Sequence, residues 1–554
     1  MDIAVVHAVT KTIGSLALSY PYLRRLGFAQ LIDELTTEGK EREVSTGRVV
    51  EVLVLNRLSL RPSPLSKVDA WARGQVIEEV YGVAAAAFND DRIGRALDEI
   101  YPHLTDAWAA LVLRGAQTYG VALDQLHSDV TRLAFEGAYE PEPGEVVPLK
   151  ITHGYTGRED PTRKQVTVSL SVAADGAIPA WYELGDGNAA DTRAYLAHLK
   201  AVHEQLHLDD VLVVGDSKLI TRPNMRGFCR AKARFVGPAS LTDADRQTLR
   251  ALWEAGEPWQ RLDVSTAGEA AAPGRYWGME TTELLADPEE ETAYLLQRFF
   301  IQSLDDRRAS RHQRAKDLAR AHRELLLIRQ RLSRPAYRDR ALVERKVDAA
   351  AAKVARYLRV TLTDAPIGLT LAWRLDHAAL AEDAQFDGVY CLLTNDTGPA
   401  ASLHRLFHAY KGQPKVEGRF RAVKSPPIQV RPVWLHQPRR ITSLVFVVMV
   451  ALFVFALIER EARRVVAESQ EVFRGVRPDG RDHLPITTPV LYEAFGSLTL
   501  LTQRLRVGDE VHDLIVPTSL TWVQQAILDR LGLDKPDAYL HLSSLPTPQQ
   551  GCGK

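Results

Sequence analysis

An apolar run without a single charge sets the strongest constraint on how this chain can fold. The run extends from Ile441 to Ile458, with Arg439 and Arg440 immediately before it. A membrane-spanning helix needs about 20 apolar residues, so this segment is marginal for that role. A helix buried on all sides in a large domain has the same composition. We predict a buried helix and retain a single membrane span as the alternative.

The overall charge gives no sign of a polyanionic partner, but one local segment does. The chain has 69 Lys and Arg against 70 Asp and Glu in 554 residues, a net charge of −1. Residues 401–441 contain nine Lys or Arg and one acid, Glu417. The three cysteines are widely separated and have no CxxC spacing, which indicates neither a disulfide framework nor a zinc ribbon. We expect a cytoplasmic protein.

Hydrophobic periodicity divides the first half of the chain. Residues 1–115 repeat apolar positions every three or four residues, which predicts a helical N-terminal domain. Residues 116–240 alternate with a period of two in "LHSDVTRLAF" and in "KQVTVSLSVAADGAIPAWYEL", with a turn at Asp175-Gly176. A helical pattern and the buried strand "VLVV" follow. Three strands, a helix and a strand predict a mixed α/β domain.

The second half interrupts and then completes that domain. Residues 241–385 form a predicted α+β insertion, whose centre is a helical hairpin broken at Ser333-Arg334-Pro335. The sheet resumes in residues 386–470, and residues 471–554 are predicted to be a helical C-terminal region with a disordered tail. The predicted class is therefore α/β, with helical regions at both ends.

Three carboxylates follow elements of the predicted sheet. Asp129 lies in its first strand, Asp216 ends the strand "VLVV", and Glu417 lies just inside a short helix bounded by prolines. Each acid by itself is explained as a turn or capping residue. Converging carboxylates, however, repel one another unless a hard cation such as Mg²⁺ or Mn²⁺ neutralises them. Two such ions about 4 Å apart support phosphodiester cleavage.

At these residues the sequence resembles the DDE transposases of bacterial insertion sequences. The matching blocks follow in order along nearly the whole chain: "FNDDRIGRALDEIYPHLTDAWAALVLRGA", "LHSDVTRLAFEGAY", "VVGDSKLIT" and "YKGQPKVEGRFRAVKSPPIQVRPVW". The resemblance implies a ribonuclease-H-like catalytic domain with Asp129, Asp216 and Glu417 as catalytic residues and metal ligands. The long stretch between Asp216 and Glu417 corresponds to family members with an insertion domain there.

The resemblance also implies roles for the residues around Glu417. Tyr410, Glu417 and Lys424 keep the family's steps of seven, which bring helical residues back to within about 20° of one face. Gln413 stands where the family has Arg. The candidate DNA-binding residues of this segment are Tyr410, Lys411, Lys415, Arg419, Arg421 and Lys424.

Three aromatic residues have structural explanations that we prefer. His127 shares a strand face with Asp129, and we interpret it as structural. Trp277 and Trp373 could stack on an extruded base, but core packing is the simpler interpretation.

The predicted function is metal-dependent DNA strand cleavage and strand transfer. Its partners would be double-stranded DNA, namely the terminal inverted repeats and the target, bound by a homodimer without a membrane. Two Mg²⁺ or Mn²⁺ ions are the expected cofactors, and residues 1–115 are a candidate for binding transposon ends. A catalytically inactive DNA-binding protein with the same fold is the alternative, and a membrane-anchored protein is a third hypothesis that rests only on residues 441–458.

Overall fold

The computed structural model separates the chain into two compact units. The first comprises residues 1–235 and 409–554, and the second comprises residues 236–408. The structure describes residues 3–36, 43–135, 139, 149–154, 162–189, 191–264, 274–366, 368–424, 428, 435, 437–507 and 510–540. The C-terminal segment predicted to be a tail lies largely outside these residues.

Helices dominate the N-terminal part of the first unit, and strands follow them. In chain order the elements are β1 (Ile3–Thr12), α1 (Leu16–Arg25), α2 (Phe28–Thr36), α3 (Thr46–Leu58), α4 (Val68–Gly74), α5 (Ile77–Tyr81), α6 (Asp90–Ile100), α7 (Leu104–Tyr119), β2 (Gln125–Phe135), β3 (Lys164–Ala173), β4 (Pro179–Gly185), α8 (Asp191–Leu206), β5 (Leu212–Val214) and α9 (Arg222–Arg230).

The second unit is built around antiparallel strands. Its elements are β6 (Arg234–Ala239), α10 (Asp243–Glu254), β7 (Gln260–Val264), β8 (Gly274–Asp287), β9 (Thr292–Ser303), α11 (Leu304–Arg331), α12 (Arg340–Ala351), β10 (Leu358–Ala365), β11 (Gly368–Leu375), α13 (His377–Gln385), β12 (Val389–Thr394) and α14 (Leu403–Lys411). The first unit then resumes with α15 (Pro414–Lys424), α16 (Pro438–Ser469), α17 (Thr488–Ala494), β13 (Thr499–Val507), β14 (Glu510–Pro517) and α18 (Trp522–Leu531).

Strands of mixed direction form the sheet of the first unit. β4, β3, β2 and β5 lie side by side in that order. β3 is antiparallel to both β2 and β4, whereas β5 is parallel to β2. The predicted succession of three strands, a helix and a strand is confirmed, and so is the mixed α/β class. Gly176, in the turn between β3 and β4, has a φ of +72°, which explains a glycine there.

Helix α16 is the buried centre of the first unit. In its most apolar window of 18 residues, 94% is buried inside the protein, and α1, α3, α6 and α7 pack around it. Phe453 occupies the space that a Cβ atom at Gly115 would need, at 2.4 Å. By length and composition the helix could also cross a membrane, but the prediction of a buried helix is confirmed.

The two regions predicted to be helical contain strands as well. β1 pairs antiparallel with β13, and β13 pairs with β14, which gives a three-stranded sheet. The prediction of entirely helical regions at residues 1–115 and 471–554 is wrong in this respect. β1 and β13 lie almost 500 residues apart, so no local pattern shows that either strand has a partner.

In the second unit, β6, β12, β9, β8 and β7 lie side by side, and each pairing is antiparallel. β12, the strand with which the sequence predicted that the sheet resumes, pairs with β6 on one side and with β9 on the other. A short apolar strand carries no information about which neighbour it pairs with, so these two partners were not predictable.

An arm of the second unit, residues 304–375, has a core of its own. It contains the two helices of the predicted hairpin, α11 and α12, and the strand pair β10–β11. Leu325 on α11, Val343 on α12 and Leu371 on β11 are buried together. Trp373, half-buried at the edge of this core, donates a hydrogen bond from Nε1 to His322 Nδ1 at 3.0 Å. The interpretation of Trp373 as a packing residue agrees with this contact.

Candidate active site

Asp129 lies on β2, and Asp216 follows the neighbouring parallel strand β5. The register of β2 and β5 pairs Gln125 with Leu212 and His127 with Val214. Continuing this register by two residues brings Asp129 opposite Asp216, which follows the end of β5. Neighbouring strands lie about 4.8 Å apart, so the sheet itself brings the two carboxylates together. Asp129 lies inside β2 and Asp216 follows β5 by two residues, so the convergence of the two carboxylates stays a prediction that this register supports.

Two donors hold the carboxylate of Asp216. The hydroxyl of Tyr195 on α8 donates to Asp216 Oδ1 at 2.9 Å, and the backbone N–H of Lys218 donates to the same oxygen at 3.0 Å. Burial, followed by the charges of Asp216 and Asp129, raises the pKa of Tyr195 well above its usual value. Tyr195 therefore remains a hydrogen-bond donor. Sequence reasoning missed it, because a tyrosine inside a helical pattern gives no sign of the strand that it faces.

Helix α15 presents Glu417 on its exposed face. Val416, Phe420 and Val423 are buried and fix the inner face of the helix. Glu417 lies in the first turn and is exposed, as are Arg421 and Lys424. α15 packs against β2, the strand that carries Asp129.

The three carboxylates interact electrostatically at Asp129. The pKa of Asp129 is raised from 3.8 to about 6, first by burial and then by the charges of Asp216 and Glu417. The N–H of Val130, which donates to Asp129 Oδ1 at 2.7 Å, and the charge of Lys218 act in the opposite direction. Negative charge therefore accumulates at Asp129 beyond what its neighbours neutralise.

Gln413 joins the start of α15 to the strand of Asp129. Its Nε2 donates to the backbone oxygen of Ser128 at 2.9 Å, and the Tyr195 hydroxyl lies 3.5 Å from the same oxygen. Beside it, a Cβ atom at Gly412 would lie 2.6 Å from His127 Cε1, so only glycine allows this approach. The residue found where the family has Arg thus contacts the protein backbone.

His127 is a packing residue of this junction. Burial, followed by the charge of Lys415, lowers the pKa of His127 to about 4. The ring is fully buried, which agrees with its structural interpretation.

The carboxylates of Asp129, Asp216 and Glu417 are suitable ligands for a hard cation, although they do not form a closed coordination shell. Asp129, Asp216 and Glu417 offer only oxygen atoms, the ligands that Mg²⁺ and Mn²⁺ prefer. Burial is the main cause of the raised pKa of Asp129, and the charges of Asp216 and Glu417 add to it; a bound cation would act in the opposite direction. Within the described ranges, no three His, Cys, Asp or Glu side chains are close enough together to hold a metal ion.

Arg419 does not have the role that the sequence suggested. Its guanidinium is buried and donates to the backbone oxygens of Ala177 at 2.9 Å and Gly176 at 2.8 Å. It also forms an ion pair with Glu459 on α16 at 3.2 Å. These contacts occupy the side chain, so the interpretation of Arg419 as a DNA-binding residue is corrected to a structural role.

The other candidate DNA-binding residues differ in their surroundings. Lys415 donates from Nζ to Ala174 O at 2.7 Å. Tyr410 and Lys411 end α14 and therefore lie outside the helix of Glu417. Arg421 and Lys424 share its exposed face.

A groove of about 900 Å³ lies beside α15 and is lined by further arginines from α16. Arg460 pairs with Asp175 at 2.6 Å, and Arg464 pairs with Glu461 at 2.9 Å. Arg463 pairs with Glu459 at 3.2 Å. These ion pairs make the groove much less cationic than its arginine content suggests.

Comparison with protein families gives one match. Residues 8–112 match the model of a domain of unknown function, DUF4277. This match covers the helical part of the first unit and none of the three carboxylates. No curated protein sequence matches the chain significantly.

Solved structures give alignments with transposases. A piggyBac transposase synaptic complex with hairpin DNA aligns with a TM-score of 0.35 and 10% identity, over 99% of this chain and 89% of that chain. A Mos1 transposase paired-end complex aligns with a TM-score of 0.15 and 12% identity, over 36% of this chain and 60% of that chain. The Mos1 strand transfer complex gives a TM-score of 0.15, also at 12% identity, over 40% and 67% of the two chains. TM-scores this low do not establish a common fold.

Proposed function

We propose that the chain is a transposase of the DDE type, with a ribonuclease-H-like catalytic domain, that cleaves DNA at transposon ends and joins the ends to target DNA. The observation that carries this proposal is the parallel pairing of β2 with β5, whose register, continued by two residues, places Asp129 opposite Asp216, together with the packing of the Glu417 helix against β2. In cleavage, water attacks a phosphorus atom and the bond to the 3′ oxygen breaks, which leaves a 3′-hydroxyl and a 5′-phosphate. In transfer, that hydroxyl attacks a target phosphorus atom and releases a target 3′-hydroxyl.

Asp129, Asp216 and Glu417 are the residues that would hold two Mg²⁺ or Mn²⁺ ions. When bound, such ions lower the pKa of water and stabilise the oxygen that leaves phosphorus. The chain's own groups fix the site: Tyr195 and the N–H of Lys218 orient Asp216, and Gln413 anchors the start of the Glu417 helix beside Asp129.

The exposed cations on the face of Glu417 complete the proposal. Arg421 and Lys424 lie on the same side of α15 as the carboxylate, where they can contact the phosphates of a bound duplex. Terminal inverted repeats and target DNA are the proposed partners, bound by a homodimer in a bacterial cytoplasm.

The decisive test replaces Glu417 with Gln. This change removes a negative ligand at nearly constant volume, so cleavage in Mg²⁺ should fall by orders of magnitude. Affinity for the same DNA should stay level or rise, because one repulsive charge has gone. Duplexes taken from the DNA on both sides of the gene serve as substrates, and Glu254→Gln, an exposed acid of the second unit, is the matched control.

A second measurement does not depend on cleavage. Mn²⁺ should raise the unfolding temperature of the unchanged protein, because a ligand that binds only the folded state stabilises it. Asp129→Asn and Asp216→Asn should each reduce that increase. If the Glu417 variant cleaves normally, the catalytic assignment is wrong. If the unchanged protein binds DNA without cleaving it and ignores Mn²⁺, the chain is an inactive DNA-binding protein.

A further inference from the structure

The far end of the arm carries a second concentration of cations. Residues 329–346 contain seven Lys or Arg and two acids. They connect the last turn of α11 with α12 through a turn in which Arg334 N–H donates to Arg331 O at 3.0 Å and Tyr337 N–H donates to Arg334 O at 2.9 Å. The turn is thus held by backbone hydrogen bonds, and its side chains extend from a defined frame.

Three cations surround one partly buried tyrosine at this end. Lys346 Nζ lies 5.6 Å from the centre of the Tyr337 ring. Arg331 lowers the pKa of Tyr337 through a hydrogen bond, and the charges of Lys346 and Arg334 add to that effect. Arg331, Arg334 and Lys346, together with Tyr337, are called the cationic tip below.

Within the part of the chain that the structure describes, carboxylates do not neutralise the cationic tip: none forms an ion pair with Arg331, Arg334 or Lys346. The two nearby acids have other partners: Asp339 accepts from the N–H of Ala341 at 3.0 Å, and Glu344 pairs with Arg340 at 2.8 Å. Like charges held close together repel one another, and a polyanion relieves that repulsion.

We infer that the cationic tip binds the phosphate backbone of duplex DNA, as a contact separate from the carboxylate site. Its cations are exposed at the turn between α11 and α12, and small anions are usually held in concave sites with converging donors. A duplex presents about one negative charge per 1.7 Å of its axis, which suits several exposed cations at once. Contacts with phosphate carry no sequence information, so the contact is independent of base sequence. This inference goes beyond the proposed function and does not require cleavage.

The test uses the full chain and removes the three charges together, as Arg331→Gln, Arg334→Gln and Lys346→Gln. The matched control removes three exposed cations elsewhere, as Lys200→Gln, Lys232→Gln and Arg481→Gln. Binding to a duplex of random sequence is titrated without divalent metal at several salt concentrations. The slope of log affinity against log salt should become shallower by about 2.7 in the tip variant, at about 0.9 for each phosphate contact. Affinity at low salt should fall at least about tenfold.

The control variant should keep the salt slope and the low-salt affinity of the unchanged protein. If the tip variant also keeps them, or if the control loses as much, the inference is overturned. Because no metal or cleavage is involved, failure here is independent of failure in the Glu417 test.

Two further measurements locate the contact and identify the partner. The absorbance titration of Tyr337, taken as the difference from Tyr337→Phe, should move to higher pH when DNA is added, because bound phosphates offset the nearby cations. A titration that DNA leaves unchanged would place the contact elsewhere and overturn the inference. Poly-glutamate of equal charge should compete poorly with DNA. Competition as strong as that of a second duplex would indicate an acidic polypeptide as the partner instead.

Discussion

Two segments of this molecule are rich in cations, and their side chains are used differently. On α15 and in the adjoining groove, Arg419 is buried among backbone oxygens and Glu459, and Lys415 donates to a backbone oxygen. At the end of the arm, Arg331 and Lys346 are exposed and have no carboxylate partner among the described residues. Both segments are basic in sequence, but two cations of the first, Lys415 and Arg419, are already occupied by partners within the protein. Pairing, rather than composition, decides which cations can bind a phosphate.

The largest change in stability should come from replacing Arg419, the buried cation of α15 that has partners within the protein. Arg419→Ala removes one ion-pair partner of Glu459 and the hydrogen-bond donor to the backbone oxygens of Gly176 and Ala177. Stability should therefore fall by about 3 to 5 kcal/mol. Urea unfolding measures the loss, and exposed Arg421→Ala should change stability by less than about 0.5 kcal/mol. If Arg419→Ala keeps its stability and loses DNA affinity, the distinction between the two segments fails.

Replacing Asp129 should change stability by a comparable amount. This change tests whether the cations of α15 neutralise the charge of the carboxylates. The pKa of Asp129 is higher in the folded protein, about 6, than the ordinary 3.8, so the folded state binds this proton more tightly. Stability is therefore full below pH 3.8 and is lost as the pH rises through about 6. Asp129→Asn should be more stable than the unchanged protein by up to about 3 kcal/mol at pH 8 and by about 1 kcal/mol at pH 4.5.

Urea unfolding at these two pH values, without metal, checks the difference. If Asp129→Asn changed stability by the same amount at both pH values, nearby cations would already neutralise Asp129.

Gln413 should show a smaller effect on stability and a larger one on cleavage. Gln413→Ala removes the donor to Ser128 O, which should lower stability by about 1 kcal/mol. Glu417 would then be held less firmly relative to Asp129, so single-turnover cleavage should slow while DNA affinity stays the same. Gln413→Glu, which cannot donate when ionised, should slow cleavage as well. Normal cleavage by both variants would show that the junction only packs the helix.

The smallest effect is expected at the cationic tip. Arg334→Gln removes an exposed charge without a carboxylate partner, so stability should stay within about 0.5 kcal/mol. Repulsion among the tip cations would also weaken, which favours a slight gain. Thermal unfolding at low salt measures it, and a loss above 1 kcal/mol would indicate that Arg334 has a structural role like that of Arg419.

Local patterns were sufficient for the elements whose periodicity is strong. The alternation in β3, the apolar composition of α16 and the break between α11 and α12 all predicted the observed elements. The order of strand, strand, strand, helix and strand also predicted the strand of Asp129 and the strand that precedes Asp216, which lie side by side. Short-range sequence determines these elements. The apolar pattern defines β3 and α16, and the break at Ser333-Arg334-Pro335 separates α11 from α12.

Partners that are distant in sequence could not be predicted in the same way. The pairing of β1 with β13 depends on segments at opposite ends of the chain, and β12 contains nothing that selects β9 or β6. For the same reason Tyr195 escaped detection, and Arg419 could not be distinguished from an exposed cation. The sequence shows that an arginine is present, but only the fold shows that Ala177 O and Glu459 surround it.

The burial of α16 has a consequence for how the protein is made. Four of the helices that pack against it are complete once Tyr119 has been synthesised, whereas α16 begins about 320 residues further along the chain. At about 5–20 residues per second, the ribosome needs roughly 15 to 65 s to cover that distance. During this interval the apolar faces of α1, α3, α6 and α7 lack the helix that they pack against. The nascent chain is therefore open to chaperones and to aggregation for most of its synthesis, and a stop codon before residue 438 would leave the N-terminal helices without their core.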